Sequence, residues 1–531
     1  MALNLLYILC FLITIVLLHF NINRYLHILQ QSFYHVSEFF SAIKISRAYK
    51  VKSYDIVLFI TMILSVVIDA VYLKYILVAF WILISLFAIK DTIINKKPEK
   101  KKFNITTRVK IIYICCYVIL GIIFIPLFVI NNIKVLGIVF SILSIYKISS
   151  MIIAICGNVF SLPFIKIGNY KYIKEAKDII KKHKDLKIIG ITGSYGKTST
   201  KNIIASILSE KYSTVMTPQS YNTTLGVTKT IRENIKPYTE VFVCEMGASR
   251  IGDIKEICGI VKPDVSVITS IGPQHLSTIK SMENIIKEKF EIVRMAKEGA
   301  LAVLNVDNQV IKENYLKYID GKEVIKYGLD ESTDCYAENI VMNEDGSEFD
   351  VVIGKERIKI ETKLLGKHNI YNILCAIIIA KKLGLENDEI RKAVKKVKPI
   401  EHRLELKYMS GILALDDSFN SNPEGSKMAI ECLTMFNDKY RVLVTPGMVE
   451  LGSKEAELNK KLGNYATKCD FVILVGQNTT KDIKTGMDEL NYKNYVVVKD
   501  INEAFEKLMN IKKEHENLIA LIENDLPDCY L

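Results

Sequence analysis

The stretch GITGSYGKTST, residues 190–200, gathers the residue types best suited to handling phosphate. An apolar β-branched run, Ile188 to Thr192, enters a glycine turn, Gly193-Ser194-Tyr195-Gly196; Lys197, Thr198 and Ser199 then open a helix-compatible segment, 201–210. Strand, glycine turn and helix start form a phosphate cradle: glycines let backbone N–H groups approach, the helix N-terminus favours negative charge, and a lysine adds a cation. The Thr198 hydroxyl suits Mg²⁺. A strict Walker pattern wants Gly at 191, where this chain has Ile191, and the competing reading is an ordinary βα turn with a surface lysine. Two further runs end in chemically useful side chains, Glu245 in VFVCEMGASRIGDI and His275 in VITSIGPQHL. A carboxylate and an imidazole at strand ends, aimed at a nucleotide phosphate, are natural Mg²⁺ partners. Taken singly, each fits a solvated or structurally satisfied residue equally well.

These positions need a scaffold, and the pattern around them supplies one. Short β-rich runs at 187–192, 213–216, 240–244, 265–270 and 301–304 alternate with helical patterns, which argues for an α/β fold with a mainly parallel sheet. Residues 323–362 read as a small antiparallel piece, followed by a helix at 368–384. A second α/β series begins near 404, with strands at about 411–416, 440–444, 470–475 and 494–498.

The chain has 531 residues, too many for one core, and the apolar half of its composition is concentrated near the N-terminus. Residues 2–20 form an uncharged run long enough to span a bilayer. A tight hairpin is expected over 56–89, turning near Asp69–Lys74, and further spans over 111–130 and 135–154. The basic segments 21–53 and 91–110 both face the cytoplasm if there are five spans, which also places everything after the last span inside. Residues 40–53 suit an interfacial helix. Lys147 interrupts the last span, either as a headgroup or pyrophosphate contact or as a snorkelling or bundle-paired lysine. The net charge of +12 sits largely in those two basic segments and calls for no nucleic acid. The 11 cysteines include no CxxC pair or metal spacing, which suits a reduced compartment.

GSYGKTS, EMGASRIGDI, IGPQHL, KFEI, NVDN, GKHNIYN, HR, DDSFNSNP and PGMVELG occur in this order over residues 186–480. The succession resembles the Mur ligase family, the ATP-dependent enzymes that add amino acids to peptidoglycan precursors. DDSFNSNP and GMVELG are most similar to the branch that adds D-alanyl-D-alanine. The apolar runs place a membrane domain at 1–160, where the family carries its sugar-nucleotide domain, and the resemblance implies a P-loop central ATP-binding domain at 161–400 and a Rossmann-like C-terminal domain at 401–531. It implies that Gly193 to Ser199 hold ATP phosphates, with Lys197 catalytic and Thr198 on Mg²⁺. Glu245 and His275 would also serve Mg²⁺. Lys289, in KFEI, matches the lysine that many members carbamylate into a metal ligand; read alone it is an exposed helix lysine. Asn305 and Asp307 match the loop on the nucleotide side. His368 and Asn372 fit the pattern, as they also fit a helix cap. Arg403 matches the arginine that reaches the γ-phosphate, Asp417 the acid near the nucleotide, Asn420 and Asn422 its adjoining loop, and Asn222 the first-substrate loop.

The implied reaction joins a muramoyl-peptide carboxylate to an amino-acid or dipeptide amine through an acyl phosphate, at a cell membrane crossed several times by the chain, with the catalytic domains cytoplasmic. Departures cluster at the substrates: Ser270 where an Asn is common, Thr223 in SYNTTLGV, Asn459 in place of a His, and a C-terminus, LIENDLPDCYL, without the branch's lysine–glycine–serine ending. The alternative reading is a ligase acting on another lipid-linked envelope precursor or polymer. A transporter ATPase would leave DDSFNSNP and GMVELG without a role, and a non-catalytic scaffold would not need Lys197, Glu245, His275, Lys289 and Arg403 together.

Overall fold

The computed structural model describes residues 2–524 apart from 33, 47–49, 95–102, 131–132, 275, 344, 420, 450 and 478–479. The chain divides into two compact units, Met1–Tyr170 and Lys171–Leu526.

The first unit is helical: Ala2–Gln31, Val36–Ser46, Ser53–Val67, Val71–Ile94, Thr107–Ile130, Ile133–Leu143 and the start of Tyr146–Lys182. Its interior is built on Tyr25, Phe39, Trp81 and Phe140, all fully buried. Among the described residues, Ile8–Gln31, Val71–Ile94, Thr107–Pro126 and Tyr146–Lys182 are long and apolar enough to cross a membrane. The fifth candidate, Ser53–Val67, has 15 residues and so about 22 Å of length against a hydrocarbon core of about 30 Å. The hairpin turn falls at Ile68, whose extended backbone (φ −77°, ψ 126°) ends the first arm. The run 135–154 is not one helix: it breaks at 144–145, where Trp81 Nε1 donates to Ser144 Oγ at 3.1 Å. Restarting at Tyr146, the helix then continues unbroken through the lysine-rich segment to Lys182. Lys147 Nζ donates to Lys50 O at 2.5 Å, the bundle-paired arrangement.

The second unit carries two sheets. The first contains β1 (Lys187–Thr192), β2 (Thr214–Met216), β3 (Val241–Glu245), β4 (Val265–Ile268), β5 (Leu301–Asn305), β6 (Glu323–Gly328), β7 (Cys335–Asn343), β8 (Gly346–Ile353) and β9 (Glu356–Thr362), in the order β2-β3-β1-β4-β5-β6-β7-β8-β9. Strands β1 to β6 run parallel, and β7, β8 and β9 form an antiparallel meander. Buried on both faces, β1 and β3 to β5 read as continuous apolar runs. Helices Lys197–Leu208 and Lys367–Lys382 pack together over one face.

The second sheet contains β10 (Glu405–Met409), β11 (Ile412–Asp417), β12 (Tyr440–Thr445), β13 (Phe471–Val475), β14 (Tyr495–Val498) and β15 (Leu518–Glu523), ordered β10-β11-β15-β12-β13-β14. It is parallel except for the edge strand β10. Neither β10 nor β15 is foreseen from the sequence pattern, yet β15 is central and every one of its residues is buried.

Candidate active site

The site collects at the C-terminal ends of β1, β3, β4 and β5, where the sheet order reverses around β1. Gly193 (φ +154°) and Gly196 (φ +80°) shape the turn after β1. At Gly193 a Cβ would stand 2.0 Å from Thr269 Oγ1, so only glycine fits. The two residues that follow β4 hold the turn. Ser194 N donates to Ser270 O (2.7 Å), Tyr195 N to Ser270 Oγ (3.1 Å) and Thr269 Oγ1 to Tyr195 O (2.5 Å). Ser270, one of the departures from the family pattern, thus has a local task. Lys197 Nζ donates to Gly193 O (2.7 Å) and Ser194 O (3.1 Å), and burial, opposed by Glu245 and reinforced by the charge of Arg403, brings its pKa down to about 8.

Glu245 is the hub. The last residue of β3, it is only 1% exposed. Its Oε1 accepts from Thr198 Oγ1 (3.3 Å) and Asn222 Nδ2 (2.9 Å). Its Oε2 lies 3.2 Å from the ammonium of Lys201 but takes no well-directed hydrogen bond. Lys201, fully buried, also donates to Gln219 O at 2.5 Å, so it fastens the loop that carries Asn222. Sequence reasoning missed this lysine: one turn beyond Lys197, it reads as a solvated helix residue.

Lys289 is buried on helix Met282–Arg294. Burial, reinforced by the charge of Lys197, pulls its amine down to about 7, with Glu288, Asp253 and Glu245 opposing. Its neighbour Glu288 accepts from Gly252 N (2.7 Å) and Ile254 N (2.8 Å), which ties this helix to the start of helix Asp253–Cys258. Arg403, half-buried and with its guanidinium over the Phe419 ring (4.6 Å), has its pKa lowered by desolvation and raised again by Glu245 and Asp417. It lies between two left-handed residues, His402 (φ 62°) and Leu404 (φ 49°). Lys197, Lys289 and Arg403 therefore all sit within electrostatic reach of Glu245. His275 and Asn420 lie outside the described residues.

Beside this cluster lies a cavity of about 180 Å³. Tyr195, Gly196, Ser199, Asn305, Arg403 and Asp417 all line it, which joins the nucleotide candidates of both sheets. Asn305 Nδ2 donates to Thr269 O (3.1 Å). Asp307 accepts from Tyr371 Oη (2.8 Å) and Leu329 N (2.7 Å). Asn372 Oδ1 accepts from Thr200 Oγ1 (2.8 Å), and Asn422 Oδ1 caps helix Pro423–Leu433 by accepting from Gly425 N (2.8 Å). His368 is held neutral, its pKa down to about 4 through burial and the charge of Arg403. Asp417 is pushed up to about 7 by burial and by Glu523.

The donor set fits Mg²⁺, a hard cation that takes oxygen: Glu245 keeps a buried carboxylate oxygen without a directed donor, and the Thr198 hydroxyl stands beside it. Phosphates fit the glycine turn, the start of helix Lys197–Leu208 and the two cations Lys197 and Arg403.

Residues 191–380 match the Mur ligase middle domain, and residues 402–521 the Mur ligase glutamate ligase domain; together they cover more than half of the chain. The UDP-N-acetylmuramoyl-tripeptide–D-alanyl-D-alanine ligase of Bacillus subtilis is 31% identical over 55% of this chain and 63% of its own length. The Escherichia coli enzyme of the same name is 29% identical over 55% and 65%. The chain thus spans less than two thirds of these curated relatives. In fold it is similar to MurF of Acinetobacter baumannii (TM-score 0.62, 24% identity, 67% of this chain and 77% of that one). It is also similar to MurF of Thermotoga maritima in complex with ADP (TM-score 0.61, 24% identity, 68% and 81%). With the family's middle and glutamate ligase domains both matched and its fold shared, the chain belongs to the Mur ligase family.

Proposed function

We propose that the chain is a membrane-anchored, ATP-dependent amide ligase that adds D-alanyl-D-alanine, or a related amine, to the peptide carboxylate of a muramoyl precursor. The observation that carries the reading is the surround of Glu245: a buried carboxylate at a strand end, facing Thr198, with Lys197, Lys289 and Arg403 in reach of its charge.

In this reading the substrate carboxylate attacks the γ-phosphorus of ATP; the new O–P bond forms as the bond to the β–γ bridging oxygen breaks, and ADP leaves. The amine then attacks the acyl-phosphate carbonyl carbon, loses a proton, and phosphate departs. Two anions must be brought together, so Lys197 and Arg403 neutralise charge and the N–H groups at the start of helix Lys197–Leu208 fix the phosphates. Mg²⁺, held by Thr198, Glu245, His275 and a carbamylated Lys289, would add charge neutralisation at the phosphates. Burial keeps part of the Lys289 population as the neutral amine, the form able to attack CO₂ carbon and release a proton to water. The second sheet, with Arg403 and Asp417, supplies the far wall of the nucleotide cavity.

The apolar helices of the first unit favour an acceptor carried on a lipid or handed over at the bilayer, with the catalytic unit on the cytoplasmic side. The test is ADP release by the full chain in detergent, with D-alanyl-D-alanine and either UDP-linked muramoyl tripeptide or its lipid-linked equivalent. Turnover on either, abolished by Lys197→Ala, supports the ligase; turnover on the lipid-linked one alone assigns the carrier. Silence on both overturns the substrate.

A further inference from the structure

The end of β15 holds groups that the ligase reading leaves unused. Glu523, 1% exposed, receives three hydroxyl donors, Ser421 Oγ, Ser426 Oγ (2.6 Å, on the same oxygen as Ser421) and Thr445 Oγ1. Next in sequence, Asn524 takes a left-handed backbone (φ 64°) and bridges both neighbouring strands' loops. Its N–H donates to Asp417 O (3.2 Å), its Oδ1 accepts from Ser421 N (3.2 Å), and its Nδ2 donates to Gly447 O (2.5 Å). Two consecutive residues thus fasten the DDSFNSNP loop, which follows β11, to the TPGM turn, which follows β12. The strand order makes this possible, because β15 lies between β11 and β12. Asp417, Ser421 and Asn422 are at once members of that fastened loop and part of the nucleotide cavity wall.

We propose that Glu523 and Asn524 are positioning residues for nucleotide binding: they set the DDSFNSNP loop so that Asp417 and Ser421 face the cavity. The inference rests on the ligase reading to the extent that the cavity takes a nucleotide. Carboxylate acceptors suit three hydroxyl donors because each bond to an ionised group is stronger than one to a neutral oxygen. Removing the carboxylate leaves buried donors without acceptors, and the loop relaxes away from the wall.

The experiment measures ADP binding to the full chain in detergent by calorimetry, in parallel with thermal unfolding. Asn524→Gly is the informative variant, since glycine accepts the left-handed backbone while the three-way bridge loses both side-chain bonds. Asn524→Gly and Glu523→Ala are expected to weaken ADP binding about tenfold at temperatures where the protein is folded. Glu523→Gln retains an acceptor for Ser421 and Ser426 and a donor toward Thr445, and is expected to restore binding to within about twofold. Such rescue separates positioning from bulk stability, which the unfolding curves report independently. Wild-type binding with unchanged affinity in Asn524→Gly and Glu523→Ala overturns the inference alone, as does a Glu523→Gln protein as weak as Glu523→Ala. A wild-type chain that holds no ADP overturns the ligase reading and, with it, this one.

Discussion

Lys201→Met removes the cation nearest Glu245 while preserving most of the side-chain volume. In the native site the ammonium is fully buried, 3.2 Å from Glu245 Oε2 and 2.5 Å from Gln219 O. Its loss leaves Glu245 Oε2 without its adjacent cation, the directed hydrogen bonds to this carboxylate coming only from the neutral Thr198 and Asn222, and Gln219 O without that donor. Breaking a buried pair from one side costs about 3–5 kcal/mol, more than the pair itself contributes over an apolar substitute. The companion Glu245→Gln removes the charge that Lys201 answers, so the double variant Lys201→Met/Glu245→Gln should be at least ~2 kcal/mol more stable than the two single losses added together. Urea unfolding of the full chain in detergent, read by pulse proteolysis, measures the cycle. Additivity within ~0.5 kcal/mol would show that the two side chains do not feel each other, and the account of Glu245 as the hub would fall.

Gly193→Ala should destabilise the turn by about 1–3 kcal/mol and abolish nucleotide binding, because its Cβ would meet Thr269 Oγ1 at 2.0 Å on a backbone at φ +154°; calorimetry with ADP checks it. Stripping CO₂ from the buffers should lower ADP release and added bicarbonate should restore it, with Lys289→Arg inactive in both; indifference to CO₂ would rule out a carbamylated Lys289. His368 is neutral in both folded and unfolded chain above its ordinary pKa of 6.5; between 6.5 and about 4 only the unfolded form takes the proton. Stability should therefore fall with pH across that window by up to about 3 kcal/mol, and His368→Asn should flatten the fall; a denaturation series from pH 7 to 4 decides it.

The legible part of this chain is the part where pattern and structure share one cause. Strands β1, β3, β4 and β5 show because both faces are buried and the residues between turns are apolar without interruption. The phosphate turn shows because its backbone demands glycine at two places. Lys201 did not show: periodicity cannot tell a solvated helix lysine from one aimed at a carboxylate delivered 44 residues later by another strand. Nor did the helix break at 144–145, since LSIYKISS contains neither proline nor glycine and hydropathy is blind to a local change of backbone course. Strand β10 is short and half-exposed at a sheet edge, where alternation is weak. The Glu523–Asn524 clasp is a property of strand order, which no local window contains.

The place of β15 also fixes a sequence of events during synthesis. Its neighbours β11 and β12 are complete by residue 445, but nothing joins them until residues 518–523 have been made. At 5–20 residues per second, translation leaves two half-sheets with open parallel edges for roughly 4–16 s. Through that interval the nascent chain presents Leu413, Leu415, Val442 and Val444 on strands that have no partner on one side. Closing the sheet is then a single late insertion, so a ribosome stalled before residue 518 would leave the nucleotide cavity without its far wall in position, whatever has already folded upstream.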